Sequence, residues 1–307
     1  MSIGYLDILD EILTAGTAHL SPRFAECQTR FVTSRQLPNG GFPGRRGAAD
    51  LYYTDFALRI LTLFSPKRDI MDRVAAYLTQ VQRPVDIVEC FSLLHINRLL
   101  ERSPSPPASR QVGRLGVRGT LESYHLPTGG FVRHHGHEVS AYATFLAALC
   151  YEMLDVPFPA PAAAVDALCA LQRADGGFAD IPGGQYGQTN ATAAALAFLV
   201  MQNAYEAVAP AALAFLLQMQ AEDGGLKAHP AAPASDLLST FTGAMTLSVL
   251  DALTDLDLPP LTRFLRHLTC PTGGFRAGLP DEEPDIEYTY YGIATMALLH
   301  AHVARSS

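Results

Sequence analysis

Charge is scarce in this 307-residue sequence: Asp, Glu, Lys and Arg together make up 17% of it, against 49% hydrophobic residues. So little charge argues against a disordered chain, and the length and apolar content suffice for a sizeable core. Positive charge is the scarcer sign, with a net charge of -8 and a pI near 5.6. That excludes a general affinity for nucleic acid or for an anionic membrane, while leaving room for a local basic pocket. Cysteine is sparse and odd in number: Cys27, Cys90, Cys150, Cys169 and Cys270 show no CxxC spacing and read as reduced thiols. Long apolar runs are lacking too. The longest, Ala191 to Met201, is interrupted by Thr192 and falls far short of the roughly 20 residues of a membrane span. The opening "MSIGYLDILDEIL" is acidic and amphipathic, unlike a signal peptide. The expectation is a soluble, cytoplasmic protein.

What is abundant is repetition. "QLPNGGF" begins at Gln36, "HLPTGGF" at His125, "QRADGGF" at Gln172, "QAEDGGL" at Gln220 and "TCPTGGF" at Thr269. The gaps are 89, 47, 48 and 49 residues, and the first spans two periods with a degenerate copy at Gln82, "QRPVD". Repeats therefore start near 36, 82, 125, 172, 220 and 269. After each Gly pair comes a segment aligned on a small polar slot: Thr54, Cys90, Ser140, Thr189, Thr240 and Thr289. These segments are apolar nearly all round, as buried helices are, whereas those before each Gly pair, such as "IMDRVAAYLTQVQ", are amphipathic. One repeat is thus an outer helix, a Gly-Gly-Phe turn and an inner helix. Glycine reaches positive φ without steric cost, so the outer helix can stop and the chain turn inward. The Phe plugs the turn. Residues 1–35 are expected to supply the first outer helix, and "SPSPPAS" (Ser103–Ser109) and "VPFPAPAAA" (Val156–Ala164) connections between repeats. Six hairpins with inner helices together predict an all-α fold, an (α/α)6 toroid forming one domain over 1–307 around a central apolar cavity.

"RQLPNGGFPGRRGAADLYYTDFALRIL" and "GGFRAGLPDEEPDIEYTYYGIATMALL" resemble repeats of protein prenyltransferase β subunits, notably the Rab geranylgeranyltransferase type. More distantly they resemble those of squalene and other class II terpene cyclases. The resemblance covers residues 30–302. It implies a toroid whose funnel takes an isoprenoid chain, and an α-helical α subunit as partner, although nothing in the residues marks a docking surface for one. In that family an Asp and a Cys two residues apart on the fifth inner helix, with a His on the sixth, hold zinc. Asp236 matches the Asp, but Leu238 stands at the Cys position and Tyr288 at the His position. Leu has no donor atom and Tyr is a rare zinc ligand, so zinc–thiolate chemistry is not expected. No cofactor is implied, beyond magnesium accompanying a diphosphate. The cyclases' DxDD motif is also missing, and "DEEPD" at Asp281–Asp285 reads as a charged loop.

The slot before each inner helix holds Asp50, Asp86, Gly136, Gln185, Asp236 and Asp285, with Glu287, Tyr53 and Tyr288 beside it. Capping alone accounts for each Asp. Grouped in an acidic arc they also suit catalysis, since neighbouring carboxylates raise one another's pKa and one can remain a general acid. Asp50, Asp86, Asp236, Asp285, Glu287 and Tyr288 are the catalytic candidates. Arg45, Arg46, Arg133, Lys227 and Arg276 follow Gly pairs and suit a diphosphate clamp, Arg45 matching the family's cation three residues beyond the Phe. His135 and His137 flank Gly136, where the family carries a diphosphate-holding His. Tyr53, Tyr142 and Tyr186 provide aromatic walls suited to a prenyl chain or a carbocation. Three functions stay open, two of them enzymatic: an isoprenoid-binding enzyme acting on a prenyl diphosphate without the zinc step, or a cyclase-like enzyme using a mouth carboxylate as acid. A non-catalytic lipid binder or scaffold is the third.

Overall fold

A buried hydroxyl recurs once per repeat and ties each turn to its inner helix. In the computed structural model, which describes residues 4–64, 67–102, 116–133 and 138–306, the amide of Phe42 donates to Thr54 Oγ1 at 3.0 Å, Phe131 to Thr144 at 2.9 Å, Phe178 to Thr192 at 2.8 Å, Leu226 to Thr240 at 2.9 Å and Phe275 to Thr289 at 3.0 Å. All five threonines are fully buried. A buried N–H without a partner costs about 1–3 kcal/mol, so each hydroxyl fixes where the turn meets the helix.

The helices follow the expected alternation. After α1 (Tyr5–Thr17) come six outer–inner pairs: α2 (Pro22–Thr33) and α3 (Leu51–Leu63), α4 (Arg68–Leu78) and α5 (Ile87–Arg102), α6 (Val117–Tyr124) and α7 (Ala141–Met153), α8 (Pro161–Cys169) and α9 (Thr189–Met201), α10 (Ala209–Gln218) and α11 (Leu237–Val249), α12 (Leu258–Leu268) and α13 (Ile286–Ser306). The first outer helix is α2, preceded by the additional α1. The only named strands among the described residues are the two-residue β1 (Leu226–Lys227) and β2 (Ser235–Asp236), paired antiparallel. No helix among the described residues is long and apolar enough to cross a membrane.

Two slots fall elsewhere than the sequence alignment puts them. Ser140 caps α7, accepting from the Ala143 amide at 3.1 Å, while Thr144 makes the turn bond. Thr189 opens α9 and donates to the Lys227 carbonyl, while Thr192 makes the turn bond. The caps are therefore Asp50, Asp86, Ser140, Asp236 and Asp285, with Gln188 at the cap position of α9, in place of Gly136 and Gln185. In these two repeats another small polar residue, Ser140 or Thr189, precedes the residue that bonds the turn, so aligning on the first one stops three or four residues early.

The glycine pair has a second reason beyond backbone freedom. Gly40 has φ 94°, and a Cβ there would lie 2.1 Å from the Arg73 carbonyl oxygen of α4. The first glycine of the other intact turns likewise abuts the backbone of the next outer helix, and Gly273 in the last turn abuts Cys27 of α2. The Gln that opens three of the turns serves the same contact. Gln36, Gln172 and Gln220 each donate both to a glycine carbonyl of their own turn and to a carbonyl at the start of the next outer helix. The second repeat, without glycines, substitutes Thr120 Oγ1 donating to Pro84 O at 3.0 Å and Arg83 donating to Gly116 O at 3.1 Å.

The chain divides into two compact units. In one, built from residues within 10–122, 269–276 and 281–307, inner helices α13, α3 and α5 lie side by side with α2 against α3. In the other, built from residues within 1–9, 123–268 and 277–280, α7, α9 and α11 lie side by side, backed by α8 and α10. "SPSPPAS" lies outside the described residues.

Replacing Thr240 by Val orphans the Leu226 amide and should cost about 1–3 kcal/mol in urea unfolding, with Thr240→Ser losing much less. Equal stability of wild type and Thr240→Val would remove the hydroxyl from the account. Gly40→Ala should destabilise by at least about 1 kcal/mol more than Gly47→Ala, because both sites have positive φ but a Cβ at Gly47 meets nothing within 4 Å. The same denaturation curves check it, and similar losses at the two sites would mean that φ alone requires the glycine.

Candidate active site

The unit containing α13, α3 and α5 gathers most of the polar side chains singled out in the sequence. The four Asp act first as helix caps. Asp50 Oδ1 accepts the Tyr53 amide at 2.7 Å, Asp86 Oδ1 the Glu89 amide at 2.8 Å, and Asp285 Oδ1 the Tyr288 amide at 2.9 Å. In the other unit, Asp236 accepts both the amide and the hydroxyl of Ser239, at 2.7 and 2.8 Å.

The cations singled out in the sequence are largely committed to carboxylates. Arg45 forks onto both oxygens of Asp281 and donates through Nε to Asp285 at 3.2 Å. Those acids hold its guanidinium above its ordinary pKa. Arg46 reaches Glu283 at 3.2 Å, and Arg276 donates to the Asp281 carbonyl at 3.3 Å. In the other unit Arg133 lies 3.8 Å from Asp180 and 5.5 Å from the Tyr142 ring, whose own amide donates to Asp180. There, too, Tyr186 stacks on His229 at 5.2 Å. Lys227, on β1, has no carboxylate partner among the described residues. His135 and His137, with His134, lie outside the described residues.

Glu287 is different: in the first turn of α13, it caps nothing. Tyr52 donates to its Oε1 at 2.7 Å and Tyr291 at 3.3 Å. Burial raises its pKa, the Tyr52 hydrogen bond opposes this, and nearby Asp285 adds to it. Aromatic rings surround these partners. Tyr52 meets Tyr53 at 5.4 Å and Phe56 at 4.9 Å; Phe56 meets Tyr290 at 5.5 Å and Tyr291 at 5.3 Å; Tyr288 meets Tyr291 at 6.2 Å. The Tyr53 hydroxyl is pushed up to about 12, first by burial and then by Asp285, Glu287 and Asp50. A carboxyl whose pKa is raised beside π faces can deliver a proton to an apolar substrate and tolerate the cation that results.

Three residues deeper in the same wall escaped the sequence reading. Asp55 and Arg59 of α3 form a buried ion pair, and His95 Nδ1 of α5 lies 2.7 Å from Asp55 Oδ1. Burial works against the Asp55 charge, but Arg59 and His95 outweigh it and hold the carboxyl below its ordinary value. The Arg59 guanidinium sits 4.7 Å from the Phe56 ring and 5.2 Å from those of Phe91 and Tyr290. Asp and Arg four apart inside an otherwise apolar inner helix was the available signal.

The family-type zinc set does not fit these residues. One Asp236 oxygen is engaged by the Ser239 amide and the other by its hydroxyl, Leu238 offers no donor, and Tyr288 stands where an imidazole would be needed.

The model of the prenyltransferase alpha-alpha toroid domain matches residues 2–206 and again 160–307. No curated protein matches the sequence at a significant level. Among solved structures, Candida albicans protein geranylgeranyltransferase-I complexed with GGPP is similar with a TM-score of 0.70, at 14% identity over 90% of this chain and 91% of that one. A variant of the type II terpene cyclase MstE from Scytonema, in complex with geranylgeranyl dihydroxybenzoate, is similar at 0.60, with 13% identity over 97% and 98%. A glycosidase in complex with glucose is similar at 0.54, with 14% identity over 96% and 98%, so the fold alone does not decide the chemistry. With the six helix pairs and the turn chemistry already described, these matches establish that the chain belongs to the prenyltransferase alpha-alpha toroid family.

Proposed function

We propose that the protein is an isoprenoid-converting enzyme that protonates its substrate, in the manner of a type II terpene cyclase, with Glu287 as the acid. The observation that carries this is the Glu287 site itself. It is the one half-buried carboxyl among the sequence candidates that caps no helix, it is raised by burial, and it lies among Tyr52, Tyr53, Phe56, Tyr290 and Tyr291. The proton passes from the carboxyl to an alkene carbon, the π pair forms the new C–H bond, and the cation left on the neighbouring carbon rests against ring faces. Tyr52 and Tyr291 stabilise the carboxylate that remains. The solved structures with isoprenoid ligands, GGPP in the transferase and geranylgeranyl dihydroxybenzoate in the cyclase, support a long isoprenoid as the substrate class.

A second reading, binding of a prenyl diphosphate, draws on Lys227, a cation without a carboxylate partner among the described residues. It is weaker because Arg45, Arg46 and Arg133 each face an acid that a diphosphate would have to displace.

Incubation with geranylgeranyl diphosphate, geranylgeraniol and geranylgeranyl dihydroxybenzoate in D2O, with mass spectrometry of the products, decides between the readings. Protonation should give an isomer carrying one deuterium, and Glu287→Gln should reduce its formation at least 100-fold, on the order expected for loss of a general acid. A wild-type protein that binds geranylgeranyl diphosphate in native mass spectrometry but makes no deuterated product would favour the second reading.

The acid must be protonated to act, so kcat/KM should be flat at low pH and fall as pH rises through the raised Glu287 pKa. Tyr52→Phe removes the bond that favours the carboxylate and should move that inflection to higher pH. An inflection unmoved in Tyr52→Phe would mean that a different group limits the rate.

A further inference from the structure

His95 interrupts the apolar inner helix α5, and the protonation step leaves it without a role. The residue is 4% exposed, and its ring lies flat on Phe91, with centroids 5.3 Å apart and planes at 16°. Nδ1 faces Asp55 Oδ1 at 2.7 Å. Asp55 is ionised, held so by Arg59 and His95 against the pull of burial. A carboxylate only accepts, so Nδ1 carries the hydrogen and the Nε2 lone pair is bare. Nε2 has no hydrogen-bond partner among the described residues. Burial lowers the ring's pKa, Asp55 opposes this, and Arg59 and Arg98 add to it, so the imidazole is neutral and able to accept a proton.

This dyad belongs to the same wall as Glu287. Tyr52, which binds the acid, and Asp55, which binds the imidazole, are three residues apart on α3, about 5 Å along its axis. Phe56 connects them: it packs on Tyr52 and Tyr291 and lies under Arg59, the partner of Asp55. Acid and base thus border one aromatic surface, the imidazole neutral and the carboxyl shifted by burial toward its protonated form.

We propose that His95, held by Asp55, is the general base that ends the reaction. The proposal rests on the protonation reading above and assigns its product class: a cyclic alkene isomeric with the substrate, rather than an alcohol. Nε2 takes a proton from the carbon next to the cationic centre, and the electron pair of that C–H bond becomes the new double bond. The imidazolium so formed is paired with Asp55, and Glu287 is left as a carboxylate. The proton returns from His95 to Glu287 through solvent, so the substrate gains one proton and loses one, and no oxidant or reductant is consumed.

The test compares wild type with His95→Gln on geranylgeraniol and geranylgeranyl diphosphate, scoring alkene against alcohol products by gas chromatography and mass spectrometry. Without the base, water should capture the cation, and the alkene-to-alcohol ratio should fall at least ten-fold. An unchanged ratio overturns the proposal while leaving the Glu287 reading intact. So does a folded variant that consumes no probe, because His95 would then act before the cation exists. In the wild-type protein, ring 15N shifts should show Nδ1 protonated and Nε2 bare at neutral pH; the opposite tautomer overturns the dyad even where the variant does not fold. A wild-type protein inert toward both probes overturns the protonation reading, and this one with it.

Discussion

A single buried hydrogen bond, from the amide that follows each glycine pair to a threonine hydroxyl one turn inside the next helix, organises this structure. It is found in five of the six turns, between groups with no access to water. The threonine is itself bonded to the chain before it: Thr54 Oγ1 lies within reach of the Asp50 carbonyl, and Thr240 and Thr289 repeat the arrangement with Asp236 and Asp285. Turn, cap and first helical turn therefore form one unit, and shifting any of them by a residue would leave a buried donor unmet. Glycine comes before it because the turn must lie against the backbone of another repeat, where a Cβ has no space.

That constraint explains the acidic residues at the rim. An inner helix whose start is fixed needs a cap there, and Asp supplies it with one oxygen, leaving the other to face outward. Asp285 uses its second oxygen on Arg45, and Asp236 uses its own on Ser239. The recurrence of Asp along the chain is thus chiefly the recurrence of helix starts. Glu287 stands out because it breaks this logic. Two residues further on, it has no backbone amide to satisfy, and its Oε1 accepts from two phenols instead.

The fold was legible because its period is written in residues with few substitutes: glycine where positive φ meets a crowded backbone, Phe where the turn is sealed, an acid where the helix begins. The register was harder to read. Thr189 and Ser140 occur before the functional Thr192 and Thr144, and only the bond to the turn amide separates them, since all four are small, polar and buried. Of the site, the rim was readable and the depth was not. Arg45 and Arg46 suit a diphosphate clamp on sequence alone because a sequence shows charge but not the acids that face it. Asp55, Arg59 and His95 are exceptions that are hard to read because they sit in segments whose overall apolar pattern marks core, and a sequence does not show which of them meet.

Those exceptions carry most of the chemical information. Burying a carboxylate and a guanidinium in an apolar wall costs several kcal/mol per ion unless each finds a partner, and a hydrophobic pair of similar volume would often serve stability as well. Here the pair is complete, and the carboxylate holds an imidazole as well. Stability alone does not call for the histidine, because Arg59 already balances Asp55. What the imidazole adds is a neutral, oriented lone pair in a place from which water is largely excluded, bound to the same helix α3 whose Tyr52 holds a carboxyl that burial favours in its protonated form. An apolar wall that carries both a proton donor and a proton acceptor is suited to moving a proton onto a hydrocarbon and off it again, a reaction that needs no group the chain does not itself supply.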